Sequence, residues 1–307
     1  MNRRSFNFLA LFSAFTPNLS GCQSTPRNFW GASRQQIMEA EKELVNLERA
    51  CRGRLGVHVI DTSTGQRFGH RSDERFLMLS SFKLLAAGFV LDRHDRGEDS
   101  LDRRIRYTRA DLVEWSPVTE KHVGGDGLTL AELCHATITT SDNTAANLMH
   151  QSYGGPAALT RFVRRLGDLT TRHDRYEPDL NTSDPNQPSD TTTPRAIAET
   201  TGKLVVGDVL SSSSRRLLQD WLLANTTGGK RLRAGFPLGW RIGEKTGTAP
   251  SVGANDVGVA WPPDGAPLLV SAYVETTSVS QETRDATIAT VAKLAASLME
   301  STTQARS

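Results

Sequence analysis

Trp240-Arg241-Ile242-Gly243-Glu244-Lys245-Thr246-Gly247 alternates with a period of two: Trp240 and Ile242 fall on one face, and Arg241, Gly243 and Lys245 on the other, as in a β-strand. Two more strand-like runs follow, Asp256 to Trp261 and Pro267 to Glu275, with Pro262-Pro263-Asp264-Gly265 as the turn between them. A closing helix is read from about Gln281 to Met299. Near the other end, Gln35 to Arg49 places Ile37, Leu44, Val45 and Leu47 among charges, an amphipathic helix. Arg54 to Ile60 and Gln66 to Arg71 then read as a strand pair, joined by Asp61-Thr62-Ser63-Thr64-Gly65. Residues from about 73 to 222 carry mostly helical pattern with loops between. Strands at both ends with helices between imply one sheet built from both ends of the chain, with the helical lobe inserted.

At 307 residues the chain can bury one large core or two lobes. Charged residues are 23% and the formal net charge is +2, with arginines scattered, so bulk electrostatics do not point to nucleic acid. Arg3-Arg4 followed by the short, weakly apolar run Phe6 to Phe15 reads as a signal peptide over 1–21, too short to span a bilayer. Leu19-Ser20-Gly21-Cys22 resembles a lipobox, which makes Cys22 the lipidation site. An ordinary signal cleaved near Cys22 is the alternative. Arg3-Arg4-Ser5-Phe6 resembles a twin-arginine signal, leaving the export route open between Sec and Tat. The expectation is an exported protein held at the membrane by its lipid alone, with residues 22–33 as a tether. Cys51 and Cys134 are read as free and buried.

Ser80-Ser81-Phe82-Lys83 puts a hydroxyl and an amine at i and i+3, on one helix face. The apolar run that follows, Leu84 to Leu91, marks a buried helix. A serine at such a start has a free backbone N–H and the positive helix end beside it, and a partly desolvated lysine can act as a base. Taken alone, Ser80 could equally be a cap and Lys83 a surface lysine. Ser141-Asp142-Asn143 alone could be a turn or cap, and Lys245-Thr246-Gly247 a strand ending in a turn. Gly243 and Gly247, lacking side chains, would let a ligand lie against the strand. In Arg175-Tyr176-Glu177-Pro178-Asp179-Leu180-Asn181 a carboxylate precedes an amide by four residues in a loop rich in Pro, Asp and Asn, which an exposed linker could also show.

The ordered set S-x-x-K, S-D-N, E-x-x-x-N and K-T-G resembles the class A serine β-lactamases over roughly residues 35 to 300. The resemblance implies an α/β fold: an antiparallel sheet of about five strands flanked by N- and C-terminal helices, plus an inserted all-α lobe, with the active site in the cleft. It places the α/β lobe at 34–72 and 223–302 and the all-α lobe at 73–222, with an omega loop at about 175–190 closed by Arg175 and Asp190. It implies Ser80 as nucleophile, Lys83 or Glu177 as its base, Ser141 as proton relay, and Glu177 as base for the hydrolytic water shared with Asn181. Lys245, Thr246, Gly247 and Thr248 would meet the substrate carboxylate and oxyanion, Asn143 the substrate's amide side chain, and Trp115 the cleft mouth. A buried core tryptophan is the other reading of Trp115. Where many members carry an arginine after the K-T-G strand, this chain has Ala254; Arg231 takes the alternative placement, ahead of Arg284. The implied activity is hydrolysis of a small β-lactam by a monomer without metal or cofactor, conferring resistance. A penicillin-binding D-Ala-D-Ala peptidase, or a non-catalytic lipoprotein binding peptidoglycan fragments, are the rival readings.

Overall fold

The computed structural model describes residues 32–183 and 186–304. The expected leader, Cys22 and all but the end of the tether lie outside the described residues.

In chain order the strands are β1 (Arg54–Asp61), β2 (Arg67–His70), β3 (Phe76–Leu77), β4 (Arg104–Ile105), β5 (Leu128–Thr129), β6 (Thr191–Thr192), β7 (Arg241–Ala249), β8 (Gly253–Trp261) and β9 (Leu268–Glu275). The helices are α1 (Arg34–Cys51), α2 (Phe82–Asp95), α3 (Leu130–Thr139), α4 (Asn143–Tyr153), α5 (Pro156–Arg165), α6 (Pro194–Val205), α7 (Ser212–Leu223), α8 (Leu232–Gly235) and α9 (Gln281–Gln304). The main sheet runs β2-β1-β9-β8-β7, antiparallel throughout, so strands from the two ends of the chain meet at the β1–β9 pair.

Side chains from α1, α9 and one face of the sheet form one core, including Leu44, Leu55, Val57, Val270, Ile288 and Val291. The opposite face packs against α6; Gly202 there lets the helix approach until a Cβ would lie 2.4 Å from Leu269 Cδ1. Covered on both faces, the strands are buried nearly throughout, and inside/outside alternation is lost. The second core gathers α2 to α7 around α2, whose residues Phe82 to Asp92 are all buried. Burial on every side explains its lack of a polar face.

Three expectations need adjusting. Ser33 and Gln36 form a reciprocal capping box, so α1 starts at Arg34, and α9 continues to Gln304. The helical region also contains two short strand pairs, β3–β6 and β4–β5; two-residue bridges are too short to leave a period in the sequence. Finally, Gly243 and Gly247 do not open the strand to a ligand. A Cβ on Gly243 would meet the Trp261 ring at 3.0 Å, and one on Gly247 would lie 2.8 Å from Leu79 Cβ and 3.0 Å from Ser80 N. The room left at Gly247 is filled by the turn that carries Ser80.

Candidate active site

Ser80 sits in a 3₁₀ turn, Leu79–Ser81, immediately before α2. Leu79 adopts a left-handed φ of 48°, uncommon for a residue with a branched side chain. The turn is held by Ser81 Oγ donating to Met78 O (2.7 Å) and Asn255 Nδ2 donating to the same carbonyl (2.9 Å). One turn on, Lys83 Nζ lies 3.0 Å from Ser80 Oγ, as the i, i+3 spacing predicts. The ammonium is fully buried, 2.9 Å from Ser141 O, 2.5 Å from Asn143 Oδ1 and 3.1 Å from Glu177 Oε1. Burial pulls the Lys83 pKa below its ordinary value, while the Glu177 carboxylate opposes that shift.

Glu177 Oε1 is also 3.4 Å from Ser80 Oγ, and Asn181 Nδ2 donates to its Oε2 at 2.6 Å. The loop bearing both is closed at its neck by Arg175 Nε on Asp190 Oδ2 (2.6 Å), while Asp190 Oδ1 accepts from the backbone of Asp174 (2.8 Å) and Arg175 (3.0 Å). A buried carboxylate saturated in this way is not the exposed linker that composition alone would allow.

Ser141, at a left-handed φ of 61°, has its hydroxyl between two lysines, 3.3 Å from Lys83 Nζ and 3.1 Å from Lys245 Nζ. Lys245 is fully buried, and desolvation followed by the nearby Lys83 charge holds its pKa well below the usual value. Asp142 caps α4 and accepts from Val118 N, Thr119 N and Ala145 N, which makes it structural. Asn143 Nδ2 donates to Glu114 O at 2.9 Å. Thr246 Oγ1 meets Thr227 Oγ1, and Thr248 is exposed at the sheet edge. These groups open on a cleft of about 620 Å³ lined by Ser80, Trp115, Ser141, Asn143, Asn181 and Thr248, among others. Trp115 stands at 63% exposure with Nε1 donating to Thr140 O (3.0 Å), so the buried-core reading of this residue is set aside.

The geometry places a serine hydroxyl within reach of an amine and a carboxylate, a second hydroxyl between two amines, and an amide on the free carboxylate oxygen. Such an array can deprotonate a nucleophile and hand a proton to a leaving group. A family model described as the Beta-lactamase enzyme family matches residues 39–299. This chain belongs to that family. It is 47% identical over 265 residues to a β-lactamase of Streptomyces albus G, covering 85% of this chain and 84% of that one. It is 46% identical over 259 residues to a β-lactamase of Stenotrophomonas maltophilia, covering 84% and 85%. The solved class A β-lactamase of the last common ancestor of Gram-negative bacteria superposes with a TM-score of 0.82 at 57% identity, covering 84% of this chain and 98% of that one. The chain is therefore a class A serine β-lactamase by family and fold.

Within this β-lactamase, Arg231 does not line the cleft directly. It is buried, with Nε on Asp285 Oδ1 (2.7 Å), Nη1 on the carbonyls of Gly247 (2.9 Å) and Asn255 (2.8 Å), and Nη2 on Thr248 Oγ1 (2.6 Å). It reaches the cleft through the Thr248 hydroxyl. Arg284 touches the site more remotely, donating to Pro250 O at 3.4 Å. Two residues escaped the sequence reading. Asn147 clamps the Glu177 backbone from both sides, Oδ1 accepting from Glu177 N and Nδ2 donating to Glu177 O, each at 2.9 Å. Thr227 holds Thr246 by its hydroxyl. Asn147 lies one helical turn after Asn143, so the signal was a polar i, i+4 pair on a mostly buried helix.

Proposed function

We propose that the chain hydrolyses the amide bond of β-lactams through an ester on Ser80 and so confers resistance to them. The Ser80 proton passes to the Lys83–Glu177 pair, whose Nζ and Oε1 lie 3.1 Å apart beside the hydroxyl. Backbone N–H groups of Ser80 and Thr248 receive the developing oxyanion. The Ser141 hydroxyl, between Lys83 and Lys245, hands a proton to the ring nitrogen. Lys245, Thr246 and Thr248, the last steadied by Arg231, take the substrate carboxylate; Asn143 takes its amide side chain, and Trp115 stacks at the mouth. A water held by Glu177 and Asn181 then attacks the ester. One observation carries this reading: Glu177 places one oxygen 3.4 Å from Ser80 Oγ while Asn181 holds the other at 2.6 Å, a site for the second step that a trapping enzyme does not need. Steady turnover of a chromogenic cephalosporin by the purified protein tests it. A single stoichiometric burst without turnover would instead favour the penicillin-binding peptidase.

The chain is further proposed to be exported as a monomer and anchored through Cys22 by lipid. The leader-like residues before Cys22 support this, and no helix among the described residues is long and apolar enough to cross a membrane. Cys22→Ala should move the protein from the membrane fraction to a soluble exported pool; unchanged fractionation would count against the anchor.

A further inference from the structure

Glu244 and Thr246 alternate with Lys245 along β7, so their side chains leave the strand on the face opposite to that of the lysine. Across the strand pair, Thr246 stands opposite Asp256 and Glu244 opposite Gly258, which sets Asp256 diagonally beside Glu244 on one face. Both carboxyl groups are wholly buried. Glu244 Oε1 accepts from Arg233 Nε at 3.0 Å, and Asp256 Oδ2 accepts from Leu232 N at 3.2 Å. The remaining oxygens, Glu244 Oε2 and Asp256 Oδ1, have no N–H or hydroxyl donor among the described residues. The two carboxyl groups are within hydrogen-bonding reach of each other, a contact that two anions cannot complete because neither has a proton to give. A single proton turns this buried repulsion into a hydrogen bond and satisfies both orphan oxygens.

We infer that Asp256 is held as a neutral acid donating to Glu244, so that one negative charge rather than two lies behind the substrate carboxylate site. Arg233 decides which partner keeps the charge: it can only donate, and it forms its ion pair with Glu244. Leu232 N needs an acceptor at Asp256 Oδ2 in either state, which leaves Oδ1 to carry the proton. Arg231 and Lys245 are the cations that favour an ionised Asp256. Arg231, however, is engaged by Asp285, by the carbonyls of Gly247 and Asn255, and by Thr248. Burial, followed by the Glu244 charge, holds the Asp256 pKa well above its ordinary value against both cations. In the proposed mechanism Lys245 and Thr246 take the substrate carboxylate, and Asp256 is the cross-strand partner of Thr246. An anion there would repel the substrate, whereas a neutral acid leaves the site to Lys245. Asp256 and Glu244 are positioning residues: they act through Thr246 and Lys245 and touch no reacting atom.

The kinetic consequence rests on Lys245 and Thr246 as the carboxylate site, so the test includes two readouts that need no substrate. Asp256→Asn copies the protonated acid, with Nδ2 able to donate to Glu244 and Oδ1 to accept from Leu232 N. In isotope-edited infrared spectra at pH 7, the parent should show the carbonyl stretch of a protonated carboxylic acid, and Asp256→Asn should lack it. Stability gives the second readout. An acid whose folded pKa lies above its unfolded value of about 3.9 leaves the native state with more protons than the unfolded state, so stability falls as pH rises through that window. Asp256→Asn removes that loss. Its Tm should exceed the parent's at pH 8, with the gain shrinking towards pH 5. A parent without the acid band, a band that survives in Asp256→Asn, or a Tm difference that does not grow with pH would each overturn the inference. In Glu244→Gln the amide oxygen must face Arg233, so Nε2 faces Asp256 and holds it ionised. The band should then vanish, and KM for a penicillin should rise about threefold or more with kcat less affected. An unchanged KM with the band lost would overturn the effect on the carboxylate site. Absence of turnover in the parent would instead fail the hydrolytic reading, and the spectra and Tm values would still decide the state of Asp256.

Discussion

Lys83 Nζ and Glu177 Oε1 lie 3.1 Å apart with both side chains wholly removed from solvent, and Ser80 Oγ is 3.0 Å from the first and 3.4 Å from the second. Two candidate bases thus converge on one hydroxyl. Their division of labour follows from the different oxygens each can reach. Lys83 is also tied to Ser141 and Asn143, on the side where the leaving nitrogen must be protonated. Glu177 is tied to Asn181, on the side where the proposed hydrolytic water would sit.

Lys83→Met should therefore be the larger lesion in acylation. Loss of a positioned base costs about 10²- to 10⁴-fold, and the shorter approach assigns most of that to Lys83. Single-turnover acylation by a penicillin measures it. An acylation rate in Lys83→Met equal to the parent's would remove Lys83 from the proton path and leave Glu177 alone on it.

If Thr248 takes the substrate carboxylate as proposed, Arg231→Ala should raise KM more than it lowers kcat, because the guanidinium holds Thr248 Oγ1. A hydrogen bond to a charged group contributes about 1.5–3 kcal/mol, which is roughly a ten- to hundredfold loss in kcat/KM. Arg284→Ala, acting at the greater remove of Pro250 O, should do less. Steady-state kinetics on both variants decide the order, and the reverse ranking would move the supporting role to Arg284. Since Arg231 is paired with Asp285 inside the protein, its loss should also lower Tm.

Burial depresses His173 to about 3 and His58 to about 4, with desolvation the leading cause in each; Asp174, Arg175, Asp190 and His150 are the charged and titratable neighbours of the first. In the unfolded chain both imidazoles take up protons below about pH 6.5. The unfolded state then binds more protons than the native one, so their stabilising contribution is full above that pH and is lost as pH falls towards the folded values. Urea unfolding between pH 7 and 5 should show stability declining before carboxylates titrate. Replacing His150, which burial also lowers, and His173 together by Phe should flatten part of that decline and leave the share of His58; an unchanged slope would mean that His150 and His173 do not contribute to it.

What could be read from the sequence was whatever a local period encodes. Ser80 and Lys83 meet because i and i+3 share a helix face, whereas the Arg175–Asp190 closure was implied by the family resemblance and not by any period in the loop. That one sheet joins both ends of the chain followed from the strand-like runs there, while the strand order did not. What escaped is set by contacts between distant segments. Gly247 looked like space for a ligand, but the turn from Leu79 to Ser81 occupies it, and no pattern within either segment announces the other. Arg231 was placed near the right site, yet its reach into Thr248, Gly247 and Asn255 depends on how β7 and β8 pair. The polar residues Asn147 and His150 were visible on α4 without any sign of what faced them.

Replacing Glu177 with Ala tests the function most directly. In the proposed mechanism acylation uses Ser80 and deacylation a water, and the second step would depend on Glu177 and on the Asn181 amide bonded to it. Ser80 in the variant still has Lys83 beside it at 3.0 Å, so attack on the ring should persist at a reduced rate. Ester hydrolysis should fall by about 10²- to 10⁴-fold, enough to turn turnover into trapping. The variant should then accumulate a penicilloyl ester on the peptide containing Ser80, heavier by the mass of the whole drug, while Ser80→Ala forms none. Hydrolysis by Glu177→Ala at the parent rate would remove Glu177 from the second step. A parent enzyme that itself only trapped the drug would return the chain to the penicillin-binding peptidases, whose acyl-enzymes lack a water poised as this one would be between Glu177 and Asn181.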